Sequence, residues 1–333
     1  MAKKSTFVSW AEYIPVWIFV VFVQNTPRII ARWAGHALGL LLWLLLNVQR
    51  KRLAHMIDNI KNLYPDHPKH KLHKIAKDSC IHFITAFADY FRQPLITLEN
   101  YKKLLILHGT EHLDNALSKG AGVIFATAHF GYWEICDGVL AMQGYPALTV
   151  VRTVDNPHID NLFDNLRLNI GLGVIKRENA AKQIIQSLRQ NKIVRIIYDQ
   201  NTAFNHIFVP FFDKLASTTP APALISLRTG APIVPFFCVY DHKIGKYVAT
   251  IHPAIEFTST KNKSADVRQI MMKLNVALEN AVKKTPEQWL WMHRRWKTRP
   301  TDQDIRAHEE ELRLIKIANQ SDNTEDNEAK LAR

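Results

Sequence analysis

A chain of 333 residues with 47% apolar content is long enough for one large core or two small ones. Its 43 Lys+Arg against 30 Asp+Glu give a formal +13; residues 301–333 hold nine acids and five bases, so the part before them has 38 bases and 21 acids, or +17. That surplus asks for an anionic partner, but no DNA- or RNA-binding motif accompanies it, and three widely spaced cysteines (Cys80, Cys136, Cys238) support neither a disulfide framework nor a zinc site.

In chain order, Ile14 to Val23 is apolar, Gln24-Asn25-Thr26-Pro27-Arg28 interrupts, and a second apolar run extends from Trp33 to Val48. Neither run reaches the ~20 residues of a clean transmembrane helix. A signal peptide does not fit, because no small-residue cleavage site follows. Started at Ile29, the second run is long enough to span, with Arg32 snorkelling at one end and Gln49-Arg50-Lys51-Arg52 anchoring the other on the cytoplasmic side. The alternative is two helices lying in the interface, with Trp10, Trp17, Trp33 and Trp43 at headgroup depth. Residues 1–52 are thus expected to form a membrane-anchoring segment.

From Ala54 to Phe91 the sequence predicts helices, broken by Tyr64-Pro65-Asp66-His67-Pro68. After Gly120 apolar runs alternate with amphipathic stretches. Val123–Ala128, Ala147–Val151, Ile193–Tyr198, Ile233–Val239 and Tyr247–Ile251 are predicted strands. Phe130–Met142, His158–Ile170, Asn179–Gln190, Ser217–Thr229 and Ala265–Lys284 are predicted helices. Ser217 is read as the N-cap region of its helix and Gly230 as the stop. Several strands are apolar on both faces, which predicts an α/β fold with a mostly parallel central sheet covered by helices. Residues 53–300 then form a single α/β domain. Residues 301–333 are a polar tail, partly helical and expected to be disordered beyond Ile317.

Within this pattern, Val123-Ile124-Phe125-Ala126-Thr127-Ala128-His129-Phe130-Gly131-Tyr132-Trp133-Glu134 delivers a histidine to a strand end, with a carboxylate five residues on. On one continuous helix five residues turn about 500°, leaving the two side chains about 140° apart. They can meet only if the helix begins after His129, a break that Gly131 permits. His129 then projects from the carboxyl end of a strand, where open α/β sheets place their ligands. His129 would be a general base oriented by Glu134, and the first N–H groups of the helix would face an oxyanion. Arg152 stands just past another strand, with Arg167 beyond, and Asp199 closes a third strand in polar groups. Phe208–Phe212 is read as an apolar loop able to line an acyl groove. The segment Trp289-Leu290-Trp291-Met292-His293-Arg294-Arg295-Trp296-Lys297-Thr298-Arg299 interleaves aromatics with cations, which suits a phosphate- and lipid-rich interface.

Taken together these segments resemble the late acyltransferases of lipid A biosynthesis, the lauroyl/myristoyl transferases within the wider glycerolipid acyltransferase superfamily. The matches run from Asn59-Ile60 and Tyr64-Pro65 through His129-Phe130-Gly131-Tyr132-Trp133-Glu134. They continue with Arg152, Asn156-Pro157, Asp160, Arg167, Asp199, the Phe208–Phe212 loop with Ser217-Thr218-Thr219, and Ala231-Pro232-Ile233-Val234-Pro235-Phe236, and end with the block Pro286 to Pro300. The resemblance implies acyl transfer from acyl carrier protein to a hydroxyl of a lipid A precursor, with membrane lipids as further partners and no metal, bound cofactor or nucleic acid. It also implies the cell inner membrane, with the catalytic domain on its cytoplasmic face. Under this reading His129 and Glu134 are catalytic. Arg152, Arg167, Arg294 and Arg295 are expected to meet phosphate or sugar-acid groups, and Asp199 to position a basic or hydroxyl group. Two other readings stay open: an acyltransferase for another glycolipid or an aminolipid, and a non-catalytic basic module that binds membranes or nucleic acid.

Overall fold

Proline punctuation sets the first elements. The apolar N-terminal runs fold, polar flanks included, as α1 (Thr6–Asn25) and α2 (Arg28–Val48), with Pro27 at the cap between them. Both helices are long and apolar enough to cross a membrane. The break at 64–68 separates α3 (Arg50–Leu63) from α4 (Lys69–Phe91). The computed structural model describes residues 5–178, 180–310 and 313, so the disorder expected beyond Ile317 lies outside the described residues.

The α/β region follows in the order β1 (Leu105–His108), α5 (Thr110–Leu117), β2 (Val123–Thr127), α6 (Trp133–Met142), β3 (Ala147–Val151), α7 (Pro157–Leu168) and β4 (Gly173–Lys176). It continues with α8 (Ala180–Arg189), β5 (Ile193–Ile197), β6 (Ile207–Phe211), β7 (Lys214–Thr218), α9 (Ala221–Thr229), β8 (Ile233–Asp241), β9 (Lys246–Ile251) and α10 (Lys263–Lys284). Among the described residues, seven strands form one sheet in the order β1-β9-β8-β2-β5-β3-β4. Only β8 and β9 run antiparallel; the other neighbours are parallel.

Strand alternation divides the core into two layers. Ile124 and Ala126 of β2 join Val194 and Ile196 of β5 beneath α8, α9 and α10. Val123 and Phe125 face the other way, against α5, α6 and α7. The predicted elements at Ala147–Val151 and within Asn179–Gln190 stand nearly as expected, and Gly230 closes α9 with φ 75°.

Three expectations fail. Ser217 and Thr218 do not cap α9: they end β7, whose pairing with β6 makes an antiparallel hairpin, and Pro220 caps the helix. The Phe208–Phe212 stretch is therefore largely strand and turn. Phe211 and Phe212 are buried, with ring centroids 5.3 Å and 6.5 Å from that of Trp289, so they brace the core instead of lining a groove. Arg32 does not snorkel; it ion-pairs with Asp89 of α4 and lies over the Tyr240 ring at 4.0 Å. The same side of α2 carries Gly35 and Gly39, where a Cβ would come 2.9 Å from the Thr85 Cα and 2.5 Å from the Ile81 Cα. This small-residue spacing lets the two backbones approach closely. Most of what α2 turns outward is apolar: Ile29, Trp33, Leu41, Leu44 and Leu45 are exposed, along with His36 and Asn47.

Candidate active site

The strand pairing β2–β5 assembles the site. Thr127 and Ile197 are partners in register, and two residues further along each strand path stand His129 and Asp199. Their side chains meet: His129 Nδ1 lies 2.8 Å from Asp199 Oδ1. The His129 amide donates to Asp199 Oδ2 at 3.0 Å, and the Trp289 indole N–H donates to the same oxygen at 2.9 Å. Burial works to raise the Asp199 carboxyl, but the His129 ring and these donors outweigh it and hold it below its ordinary value. A carboxylate can only accept, so in the neutral ring Nδ1 carries the proton and Nε2 the lone pair. Gln200 Nε2 sits 3.3 Å from that nitrogen, in the donor's role.

Glu134 is elsewhere. The pairing with His129 expected from the sequence is not the contact made: both Glu134 oxygens are taken by arginines. Arg167 donates from Nε at 3.1 Å and from Nη2 at 3.0 Å, and Arg195 Nη2 lies 3.1 Å away. Burial would raise this carboxyl, yet Arg195 and Arg167 together pull it down to about 2. The physical reason is the turn between His129 and the helix. Gly131 has φ 61° and docks its backbone on β8, where an added Cβ would lie 1.8 Å from the Cys238 carbonyl oxygen. α6 therefore starts at Trp133 with Glu134 in its first turn, aimed at β5 and α7.

That turn also uses two of the first amides of the helix predicted after His129, which were expected to serve an oxyanion. Gly131 N donates to Gln288 O at 2.8 Å and Tyr132 N to Cys238 O at 2.7 Å. Neither of these two amides is free to serve an oxyanion.

Arg195 went unnoticed in the sequence. It occupies the middle of the apolar strand Ile193–Ile197 and is 1% exposed. Besides Glu134 it reaches Asp137 at 3.1 Å, Thr149 Oγ1 at 2.8 Å and the Trp133 carbonyl at 2.9 Å. Burial pushes the Asp137 carboxyl up to about 7 despite the arginine. A lone cation inside a fully apolar strand is a usable signal, because such a charge requires a buried counter-charge. The matching acids, Glu134 and Asp137, stand one turn apart in the otherwise apolar helix α6.

A cavity of about 880 Å³ opens beside His129, lined by Phe83, Phe87, Tyr90, Phe163, Ile184 and Ile225 among others. Arg152 and Arg167 also line it. Arg152 is exposed and 3.3 Å from Asp155. Arg294 is exposed and away from the cavity lining. Arg295 is 0% exposed; it donates to the Ser217 carbonyl and the Thr218 hydroxyl, holding β7 in place rather than facing solvent or the cavity. The surrounding tryptophans Trp289 and Trp291 are equally buried and brace Asp199 from behind, while Met292, Arg294, Lys297 and Arg299 of the same block are exposed. Asn59 ties α3 to this block through the carbonyls of Trp291 and His293. His293 accepts the Asn201 amide at 2.7 Å, and burial lowers its ring to about 4. Cys136 is buried, which pushes its thiol well above the ordinary value, so it offers no nucleophile.

Comparison with known proteins follows the same lines. Residues 1–298 match the family model described as bacterial lipid A biosynthesis acyltransferase. A lipid A biosynthesis acyltransferase of Haemophilus influenzae is 27% identical over 198 residues, covering 59% of this chain and 60% of the relative. The lipid A biosynthesis lauroyltransferase of Escherichia coli is 30% identical over 195 residues, 58% of this chain and 61% of the relative. A phosphatidylinositol mannoside acyltransferase of Mycobacterium tuberculosis is 24% identical over 217 residues, 62% and 66%. Each match thus spans about three-fifths to two-thirds of the relative's length. With the family model spanning nearly all of it, the chain belongs to the bacterial lipid A biosynthesis acyltransferase family.

Proposed function

We propose that this chain transfers a fatty acyl group from acyl carrier protein to a hydroxyl of a lipid A precursor, with His129 as general base. The observation that carries the reading is the His129–Asp199 pair at the edge of the large, mostly apolar cavity. Nε2 takes the proton of the acceptor hydroxyl as its oxygen attacks the thioester carbon. The tetrahedral intermediate collapses with loss of the carrier thiolate. The imidazolium returns the proton to that sulfur, leaving an ester and a free thiol. Asp199 keeps the proton on Nδ1 throughout and stabilises the transient imidazolium.

Glu134 acts through its arginines. It fixes Arg167 in the cavity wall, where a held positive charge favours the developing oxyanion or an anionic part of the acceptor. Gln200, next to Nε2, is placed to donate to the same oxygen. Arg152 at the rim is the candidate contact for a phosphate of the acceptor. Residues 1–52 hold the enzyme on the cytoplasmic face of the inner membrane through the outward apolar sides of α1 and α2, while residues 53–300 carry the chemistry.

The test is transfer from acyl carrier protein by the purified full-length chain against a panel of lipid acceptors. The panel includes a mannosylated phosphoinositide and an aminolipid. His129→Ala should lower the rate by at least about 10²-fold, the low end for loss of a general base. Near-normal acylation by that variant would overturn the mechanism, and acylation of only a non-lipid A acceptor would overturn the substrate.

A further inference from the structure

A second, smaller concavity lies on the outer surface of α8 and α9. It has a volume of about 560 Å³ and is lined by Lys182, Arg189 and Arg228 with Ile185 and Gln186 between them. On α8 the spacing 182, 185, 186 and 189 puts four of these residues on one helix face, opposite the Ala180–Ile184–Leu188 stripe that packs on the sheet. Neither helix contains a carboxylate. The three cations are exposed, and no ion pair to any of them occurs among the described residues.

The groove adjoins the candidate active site. Ala181 borders both concavities, Ile184 and Ile225 line the main cavity from the same two helices, and the exposed Arg177 lies on the cavity rim. The charge is therefore placed where a bulky donor would rest while its acyl arm reaches inward. Three uncompensated cations around a small apolar floor complement an acidic helix with apolar residues on its contact face, joined to a phosphodiester-bearing arm. We propose that the α8–α9 groove is the docking surface for the acidic carrier protein that delivers the acyl thioester. The inference rests on the donor assigned above.

The experiment compares two donors with the full-length enzyme: acyl carrier protein and the same acyl group on pantetheine, which lacks the protein. The variant K182E/R189E/R228E should raise the KM for the carrier-protein donor by about tenfold or more, with kcat near wild type, because surface charges act mainly on encounter. Transfer from acyl-pantetheine should be unchanged. The wild-type KM for the carrier protein should rise with salt, and that of the variant should not. The neutral variant K182Q/R189Q/R228Q should fall between the two. A wild-type KM for acyl carrier protein in the triple-Glu variant overturns the docking site and leaves the donor assignment standing. Equal losses with both donors also overturn it. Wild-type enzyme that uses acyl-pantetheine but not acyl carrier protein overturns the donor assignment, and the docking surface with it. Loss of binding to anionic phosphatidylglycerol vesicles with an unchanged carrier-protein KM reassigns the groove to lipid.

Discussion

Asp199→Asn isolates the role of the carboxylate without changing its shape. Oδ2 faces two donors that cannot change, the His129 amide at 3.0 Å and the Trp289 indole at 2.9 Å. The asparagine carbonyl must stay on that side, because turning the amide would set N–H against two N–H groups in a buried site. The new NH₂ then occupies the Oδ1 position, 2.8 Å from His129 Nδ1. It donates to Nδ1 and drives the ring proton to Nε2, where the lone pair needed for the acceptor hydroxyl is lost. The predicted fall in kcat is about 10²- to 10⁴-fold, the range for a general base, which corresponds to about 3–5 kcal/mol of barrier. The assay is steady-state acyl transfer at saturating donor and acceptor, with circular dichroism confirming the fold. A kcat within about threefold of wild type would refute the tautomer argument.

Other consequences follow from the same geometry. Glu134 is held at about 2 against an ordinary value of 4.5, so its folded-state pKa is depressed. Its contribution to stability is present above 4.5 and lost as pH falls through 2. The shift amounts to roughly 3 kcal/mol. Glu134→Gln should flatten the acid-unfolding profile in that window and leave Arg195 with one buried partner fewer; an unchanged pH slope in chemical denaturation would contradict the ion-pair assignment. Gly131→Ala must fit a Cβ 1.8 Å from the Cys238 carbonyl oxygen at φ 61°. A loss of at least about 2–3 kcal/mol and of acyl transfer together is expected, read by thermal melts and activity; a wild-type melting temperature would show that the turn relaxes freely.

Much of the framework was legible locally. Largely apolar runs of five to seven residues marked β2, β3, β5 and β8, with glycine or proline just before β2, β3 and β8. The 64–68 break separated two helices correctly, and Gly230 closed α9 as expected. His129 was found because a histidine at the end of a wholly apolar strand stands out. The hairpin of β6 and β7 was missed because Phe208 to Thr219 mixes apolar, turn and hydroxyl residues with no single period. Arg294 and Arg295 look alike in sequence, yet one is exposed and the other is sealed behind β7.

The sequence by itself determined the layered α/β architecture, the strand-end histidine and the apolar N-terminal helices, because periodicity and backbone punctuation act over a few residues. Only the tertiary structure decided which carboxylate meets that histidine. Asp199 lies 70 residues away and arrives through the parallel register of β5 beside β2. Glu134, only five residues on, is turned by Gly131 toward Arg167 and Arg195, which come from α7 and β5. Proximity along the chain constrains the backbone path, but strand order and side-chain charge balance in a buried layer select the partners.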